Sequence, residues 1–272
     1  MSAQPAIAPD LPRAAVIFID AALEAGAAIL EFWRNGAPAQ SKADGSPVTE
    51  ADLAANSIIL DRLKRALPEI PVISEEAEQP EAARGAEWFI LVDPLDGTKE
   101  FLRGTEEFTV NIALIHRGAP VCGVVFAPAM GRIWTGCGAK ARSGTLAIGA
   151  TDAEEIAWTA IGCRAESEKL IAVVSRSHLD KATQDWLARN DCGGSTPSGS
   201  SIKFCLVAEG AADAYPRFGR TMEWDTGAGD AVLRAAGGRI ETAEGAPFVY
   251  GKSHEGYANP GFIARGKARG GP

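Results

Sequence analysis

The stretch from Trp88 to Phe101 constrains this chain more than any other part of it. Four apolar residues, Phe89, Ile90, Leu91 and Val92, run without interruption into Asp93, Pro94, Leu95, Asp96, Gly97 and Thr98. A short apolar run bounded by turn residues reads as a buried strand, so two acids sit at its carboxyl end. Pro94 presets one φ and Gly97 permits a sharp turn, which lets the chain place Asp93 and Asp96 side by side with the Leu95 carbonyl between them. Three oxygen donors on one turn suit a hard cation such as Mg²⁺. Asp-Pro and Asp-Gly are also ordinary turn formers, and taken alone the segment equally describes a structural loop.

Other acids carry the same double reading. Glu75 and Glu76 end a second short strand, Val72 to Ser74, where a solvated loop edge is the plain alternative. Asp225 follows Trp224 and opens a helix that starts at Thr226, so it reads as an N-cap as readily as a ligand. Thr49, Glu50, Ala51 and Asp52 resemble a capping box, with Asp52 at the third helical position. If these acids share one site as anions, each pair ~4 Å apart repels by about 4 kcal/mol at an effective dielectric near 20. Bound cations or raised pKa values would make such a cluster tolerable.

Around these acids, apolar residues at helical spacing (Val16, Ile19, Leu23, Ala27, Leu30) predict an amphipathic helix over 11–33. A second helix is expected from Thr49 until Pro68 and Pro71. Strand patterns follow at Trp88 to Val92, Phe108 to His116, Val121 to Phe126 and Ile133 to Thr135. Beyond Gly149 strands alternate with helices: Leu170 to Ser175, Ala214 to Arg217 and Arg239 to Thr242 extended, and Lys181 to Arg189, Ile202 to Glu209 and Thr226 to Ala236 helical. The expectation is an α+β part with an antiparallel sheet over residues 1–150 and an α/β part over residues 151–272. The tail from Ala264 to Pro272 reads as frayed.

Composition sets the remaining bounds. Of 272 residues, 46% are hydrophobic and 23% charged, so the chain is globular rather than disordered. A formal net charge of -8 provides no overall basic field for a nucleic-acid polymer. Five cysteines, odd in number and never spaced as CxxC, argue against a disulfide framework or a structural zinc site and fit a reducing compartment. No targeting segment is read at the N-terminus, and the most apolar run, Ala14 to Ile19, falls far short of the ~20 residues a span needs. A cytoplasmic location is expected, with loose association at the inner membrane left open.

The segment DPLDGTKEF at 93–101, preceded by SEE at 74–76 and followed by EWDTGAGDAVLRAAGG at 223–238, resembles the inositol monophosphatase superfamily of lithium-sensitive, Mg²⁺-dependent phosphatases. The resemblance runs from roughly residue 13 to 263. Lys99 and Glu100 after Thr98 look like the 3'(2'),5'-bisphosphate nucleotidase branch of CysQ type. KADGSPVTEAD at 42–52, VSRSH at 174–178, SGSSIKFCLVAEGAADAYPRFG at 198–219 and NPGF at 259–262 agree with that branch.

The resemblance implies a layered αβαβα sandwich in which residues 1–150 form the metal-binding part and 151–272 the substrate-binding part, with Glu75, Asp93, Asp96, Asp225 and the Leu95 carbonyl holding two or three Mg²⁺ ions. It implies a metal-activated water as nucleophile, oriented and deprotonated by Asp52 and Thr98. Backbone amides at Gly97 and Thr98 are expected to receive phosphate oxygens. The implied substrate is a small molecule, 3'-phosphoadenosine 5'-phosphate, whose non-reacting 5'-phosphate would meet Lys203, Arg217 and Ser200, with His178 near the base and Asp225 also touching substrate. Lys203 reads equally as a solvated surface lysine, and His178 as a surface residue. The chain is expected to work as a monomer or homodimer. Two weaker signals are set aside: Gly136, Cys137, Gly138 lacks a third glycine and a βαβ setting, and Ser198 to Ser201 lacks the GxSxG elbow. An inositol or sugar monophosphatase of the same superfamily is the competing enzyme, and a noncatalytic nucleotide-binding regulator the competing class.

Overall fold

The amphipathic pattern at the start of the chain forms α1, Leu11–Asn35, capped by the Asp10 side chain and stopped at Gly36. The structure is a computed structural model that describes residues 8–36, 39–41, 47–176 and 179–269. A short antiparallel ribbon, β1 (Ala39–Ser41) and β2 (Pro47–Thr49), leads into α2, Glu50–Ala66, which packs on α1. Next come β3 (Val72–Ser74), β4 (Trp88–Asp96), α3 (Thr98–Leu102), β5 (Thr109–His116), β6 (Ala119–Ala127), β7 (Arg132–Cys137), β8 (Lys140–Thr145) and β9 (Ala157–Ala160). These seven strands form one sheet in the order β3-β4-β5-β6-β7-β8-β9, antiparallel except for the first pair.

The rest of the chain is β10 (Ile171–Ser175), α4 (Lys181–Arg189), β11 (Gly194–Ser198), α5 (Ile202–Ala208), β12 (Ala214–Arg217), β13 (Thr221–Met222), α6 (Glu223–Ala235), β14 (Arg239–Thr242), β15 (Ala258–Asn259) and β16 (Phe262–Arg265). A second, mixed sheet has the order β11-β10-β12-β16-β14, and β13 pairs with β15.

Alternation along the strands of the first sheet explains the layering. Val110, Ile112 and Leu114 of β5 join Val124 and Phe126 of β6 against α1 and α2. Ala113, Ile115 and Val125 point the other way, into a core shared with α5, α6 and the second sheet. Trp186 of α4 covers the far face of that second sheet with Ala214 and Ile263. The result is the αβαβα sandwich, with α5 and α6 as its middle layer.

The expected elements form, with differences that have local causes. The sequence pattern did not predict β1, β2, β8, β9, β11, β13, β15 or β16, and β16 takes Ala264 and Arg265 out of the tail expected to be frayed. The strands β8, β9 and β11 are short and polar or largely exposed, and neighbours already in place complete their ladders. The last helix begins at Glu223 rather than Thr226, so Asp225 is its third residue and not its N-cap. Its seat on the first sheet needs small residues: a Cβ on Gly136 would lie 2.5 Å from the Cα of Val232. Glycine there lets α6 approach β7 closely enough to aim its first turn at the end of β4.

Candidate active site

Two acids three residues apart in a regular strand point to opposite faces. In β4 they do not, because Asp93 pairs with Asn111 and Asp96 with Thr109, leaving one extra residue between them. That bulge, at Pro94 and Leu95, turns Asp93 and Asp96 to one side. Gly97, at φ 94°, then adopts the left-handed conformation that starts α3, where a Cβ would lie 3.2 Å from the Glu107 carbonyl and 3.3 Å from the Phe108 Cα.

Register supplies the third acid. Because β3 runs parallel to β4 with Ser74 opposite Val92, and the Glu75 N–H donates to the Val92 carbonyl at 3.1 Å, Glu75 comes to lie beside Asp93. Asn56 of α2 steadies this end: its side chain accepts from the Ser74 hydroxyl at 2.6 Å and donates to the Glu76 carbonyl at 3.3 Å. The fourth acid arrives on α6, where the Asp225 carboxylate reaches back to accept from the Met222 N–H at 2.8 Å. Carboxylate oxygens of Glu75, Asp93 and Asp225 lie within 4.8 Å of one another.

Asp96 stands next to this trio with its carboxylate drawn toward hydroxyls. It accepts from Ser200 at 2.6 Å, Ser201 at 3.1 Å and the Asn111 amide at 3.4 Å. Burial, then the charges of Glu75, Asp96, Asp225 and Asp52, push the Asp93 carboxyl well above the usual carboxylate range. Burial and the Asp96 and Glu75 charges do the same to Asp225. A set of hard oxygen donors that cannot comfortably ionise together fits divalent cations.

Asp52 is both a cap and a site residue, one oxygen serving each purpose. Its Oδ2 accepts from the Thr49 N–H at 2.8 Å and the Thr49 hydroxyl at 2.6 Å, completing the capping box of α2. Its Oδ1 accepts from the Thr98 hydroxyl at 3.3 Å, and that hydroxyl is also 3.3 Å from the Leu95 carbonyl. Asp52 and Thr98, distant in sequence, thus meet beside the acids.

A cleft of about 680 Å³ opens over these groups, lined by Glu75, Asp96, Gly97, Thr98 and Asp225 on one hand and Ser200, Lys203, Tyr215 and Arg217 on the other. Lys203 is only 4% exposed, so it is no solvated surface lysine. Its ammonium lies over the Tyr215 ring and donates to the carbonyls of Ser198 and Ser200. Burial lowers its pKa to about 8, against the favourable charge of Asp96. The guanidinium of Arg217 donates to the Arg220 carbonyl at 3.3 Å. Ser200 holds a left-handed backbone at φ 50°, with its hydroxyl on Asp96. His178 lies outside the described residues, as do residues 42–46 of the KADGSPVTEAD segment.

Several site residues escaped the sequence reading. Thr109 and Asn111, fully buried polar residues in an otherwise apolar strand, were a legible signal: the Thr109 hydroxyl donates to Asn111, which holds Ser201. Glu107 accepts from Arg176 at 2.7 Å and from the Gly199 N–H at 3.0 Å, and Arg176 keeps its carboxyl below the ordinary range. That ion pair tethers the Ser200 turn to the loop before β5.

In this layered fold acids from the end of β3, from β4 and from α6 converge on one cleft; the chain is matched over residues 10–269 by the model of the inositol monophosphatase family, and it belongs to that family. Among its relatives is the 3'(2'),5'-bisphosphate nucleotidase CysQ of Shigella flexneri, 43% identical over 245 residues, which are 89% of this chain and 95% of that one. The crystal structure of CysQ from Bacteroides thetaiotaomicron, a bacterial member of the same family, superposes with a TM-score of 0.80 at 39% identity, covering 93% of this chain and 97% of that one. An inositol monophosphatase from Anabaena shares the fold at a TM-score of 0.70 and 24% identity, covering 94% of this chain and 92% of that one. No helix among the described residues is long and apolar enough to cross a membrane.

Proposed function

We propose that this chain is a Mg²⁺-dependent 3'(2'),5'-bisphosphate nucleotidase that hydrolyses 3'-phosphoadenosine 5'-phosphate to AMP and phosphate. The observation that carries the reading is one cleft joining the carboxylates of Glu75, Asp96 and Asp225, with Asp93 clustered behind Glu75 and Asp225, to the cations Lys203 and Arg217. Similarity to a relative named 3'(2'),5'-bisphosphate nucleotidase supports a bisphosphorylated nucleotide as the substrate class.

Glu75, Asp93, Asp96, Asp225 and the Leu95 carbonyl would hold two or three Mg²⁺ ions, which lower the pKa of bound water and neutralise charge on the attacking and leaving oxygens. The chain's own work surrounds that chemistry. Thr98 orients the attacking water through its hydroxyl, and Asp52 Oδ1 takes the proton, directly or through Thr98, while Oδ2 stays fixed in the helix cap. The amides opening α3 at Gly97 and Thr98 receive phosphate oxygens. Lys203 and Arg217 grip the 5'-phosphate that does not react, with Ser200 supplying a hydroxyl and Asp225 bordering both groups. Residues up to about 150 contribute Asp52, Glu75, Asp93 and Asp96, and the remainder contributes the phosphate-gripping cations and Asp225.

Phosphate release measured side by side from 3'-phosphoadenosine 5'-phosphate, inositol 1-phosphate and fructose 1,6-bisphosphate tests this reading. The bisphosphorylated nucleotide is expected to give the highest kcat/KM. Faster turnover of inositol 1-phosphate or the sugar bisphosphate transfers the assignment to a monophosphatase of the same family, and no release from any of the three leaves a noncatalytic binder.

A further inference from the structure

Cys122 of β6 and Cys137 of β7 are direct cross-strand partners. Their neighbours define the type of pair: the Gly138 N–H donates to the Val121 carbonyl at 3.0 Å, just outside the two cysteines. The cysteines are therefore a non-hydrogen-bonded pair, in which Cα atoms approach to ~4.5 Å and side chains share one face. Disulfides span Cα separations from about 4.4 to 6.8 Å, so this pair can be bridged with little backbone movement.

The two thiols differ in access. Cys122 is buried against the first turn of α1, its Sγ 3.9 Å from the Leu11 carbonyl, whereas Cys137 is half-buried. A hydrogen bond between the thiols, with Arg142 of β8 nearby and Asp10 opposing, brings the Cys137 thiol down to about 7 and pushes Cys122 up. Burial instead raises Cys163, Cys192 and Cys205. Cys137 is thus the cysteine with the greatest thiolate character, and a second thiol stands beside it.

We propose that Cys137 and Cys122 form a reversible peroxide-oxidised dithiol, Cys137 reacting first and Cys122 resolving it to a cross-strand disulfide. The Cys137 thiolate attacks hydrogen peroxide: an S–O bond forms, the O–O bond breaks, and the departing hydroxide takes a proton to become water. Sulfur is oxidised by two electrons and the peroxide reduced. The Cys122 sulfur then attacks the sulfenic sulfur, an S–S bond forms, and the S–O bond breaks. The hydroxyl leaves with the Cys122 proton as a second water. The neighbouring thiol stops oxidation at a step that thiols can reverse, before irreversible sulfinic acid.

The test exposes the purified, Mg²⁺-loaded full chain to excess hydrogen peroxide at neutral pH, then counts thiols after denaturation and maps crosslinks by non-reducing mass spectrometry. The thiol count is expected to fall from the five of the reduced chain to three, with a single 122–137 crosslink that dithiothreitol removes. Cys137→Ser should keep all its remaining thiols, and Cys122→Ser should trap dimedone at Cys137 and go on to sulfinic acid. Cys122→Ala stands in if the buried serine impairs folding. Five intact thiols under peroxide that fully oxidises glutathione, a crosslink between other cysteines, or wild-type Cys137 passing to sulfinic acid uncrosslinked would each overturn the proposal.

Discussion

Replacing Asp93 by Asn removes the most buried charge of the acid cluster while keeping its shape. The Asn oxygen can still accept from the Leu95 N–H, which Asp93 Oδ1 does at 3.1 Å, so the local turn survives. What changes is repulsion: with carboxylate oxygens of Glu75, Asp93 and Asp225 within 4.8 Å of each other, each fully ionised pair costs about 3.5 kcal/mol at an effective dielectric near 20. Proton uptake by the raised Asp93 carboxyl limits that cost, and a buried amide hydrogen left poorly paired takes back ~1 kcal/mol. The metal-free variant should therefore be more stable than wild type by ~2 kcal/mol at pH 7.5, a rise in Tm of roughly 4–8 °C. The sign with pH follows from the raised folded pKa: stability of the metal-free wild type is present at low pH and is lost as pH rises through that pKa. The variant's advantage should accordingly grow with pH. If Asp93 is a Mg²⁺ ligand as proposed, the order should reverse in Mg²⁺, because saturating ligand at 100 times its Kd adds ~2.7 kcal/mol to wild type and much less to the variant. Thermal melts in EDTA and in Mg²⁺ over a pH series read all of this. A variant that melts lower than wild type by the same amount in both conditions refutes the metal-site reading and makes Asp93 a turn former.

If Asp52 takes the proton as proposed while also capping α2, Asp52→Asn should cut kcat by two or more orders of magnitude while the Mg²⁺-induced rise in Tm persists; a loss of ~1 kcal/mol in stability with unchanged turnover would leave only the cap. If Arg217 grips the 5'-phosphate, Arg217→Ala should lower kcat/KM on 3'-phosphoadenosine 5'-phosphate about tenfold to a hundredfold and leave 3'-AMP hydrolysis nearly unchanged. Equal losses on the two substrates would sink that assignment. Asp230, wholly buried and held by Arg234 and Tyr250, has its carboxyl pushed up to about 6 by burial. Its contribution to stability is present below pH ~4 and lost as pH rises through about 6, by roughly 3 kcal/mol. Denaturant unfolding of wild type and Asp230→Asn across that range should show the difference between them shifting by about this much, and parallel curves would contradict it.

The chain alone specifies what contiguous residues can express. Apolar spacing of 3.6 marks α1 and α2, the run Phe89 to Val92 marks a buried strand, and Thr49 with Asp52 marks a helix start. The acids at the end of β4 stand out for the same reason, since turn chemistry and charge are written in adjacent positions. Tertiary structure decided how they combine. Whether Asp93 and Asp96 share a face depends on a bulge that shows only in the pairing with Asn111 and Thr109. Glu75 reaches Asp93 through parallel register. Asp225 reaches both because a small-residue contact between α6 and the first sheet permits a close seat. The burial of Lys203, the hydroxyls drawn onto Asp96 and the closeness of Cys122 to Cys137 are likewise set by packing and strand pairing between segments far apart along the chain. Helical periodicity and turn preference act over a few residues and leave a trace in any window of sequence, whereas register and seating depend on surfaces that exist only once distant segments have met.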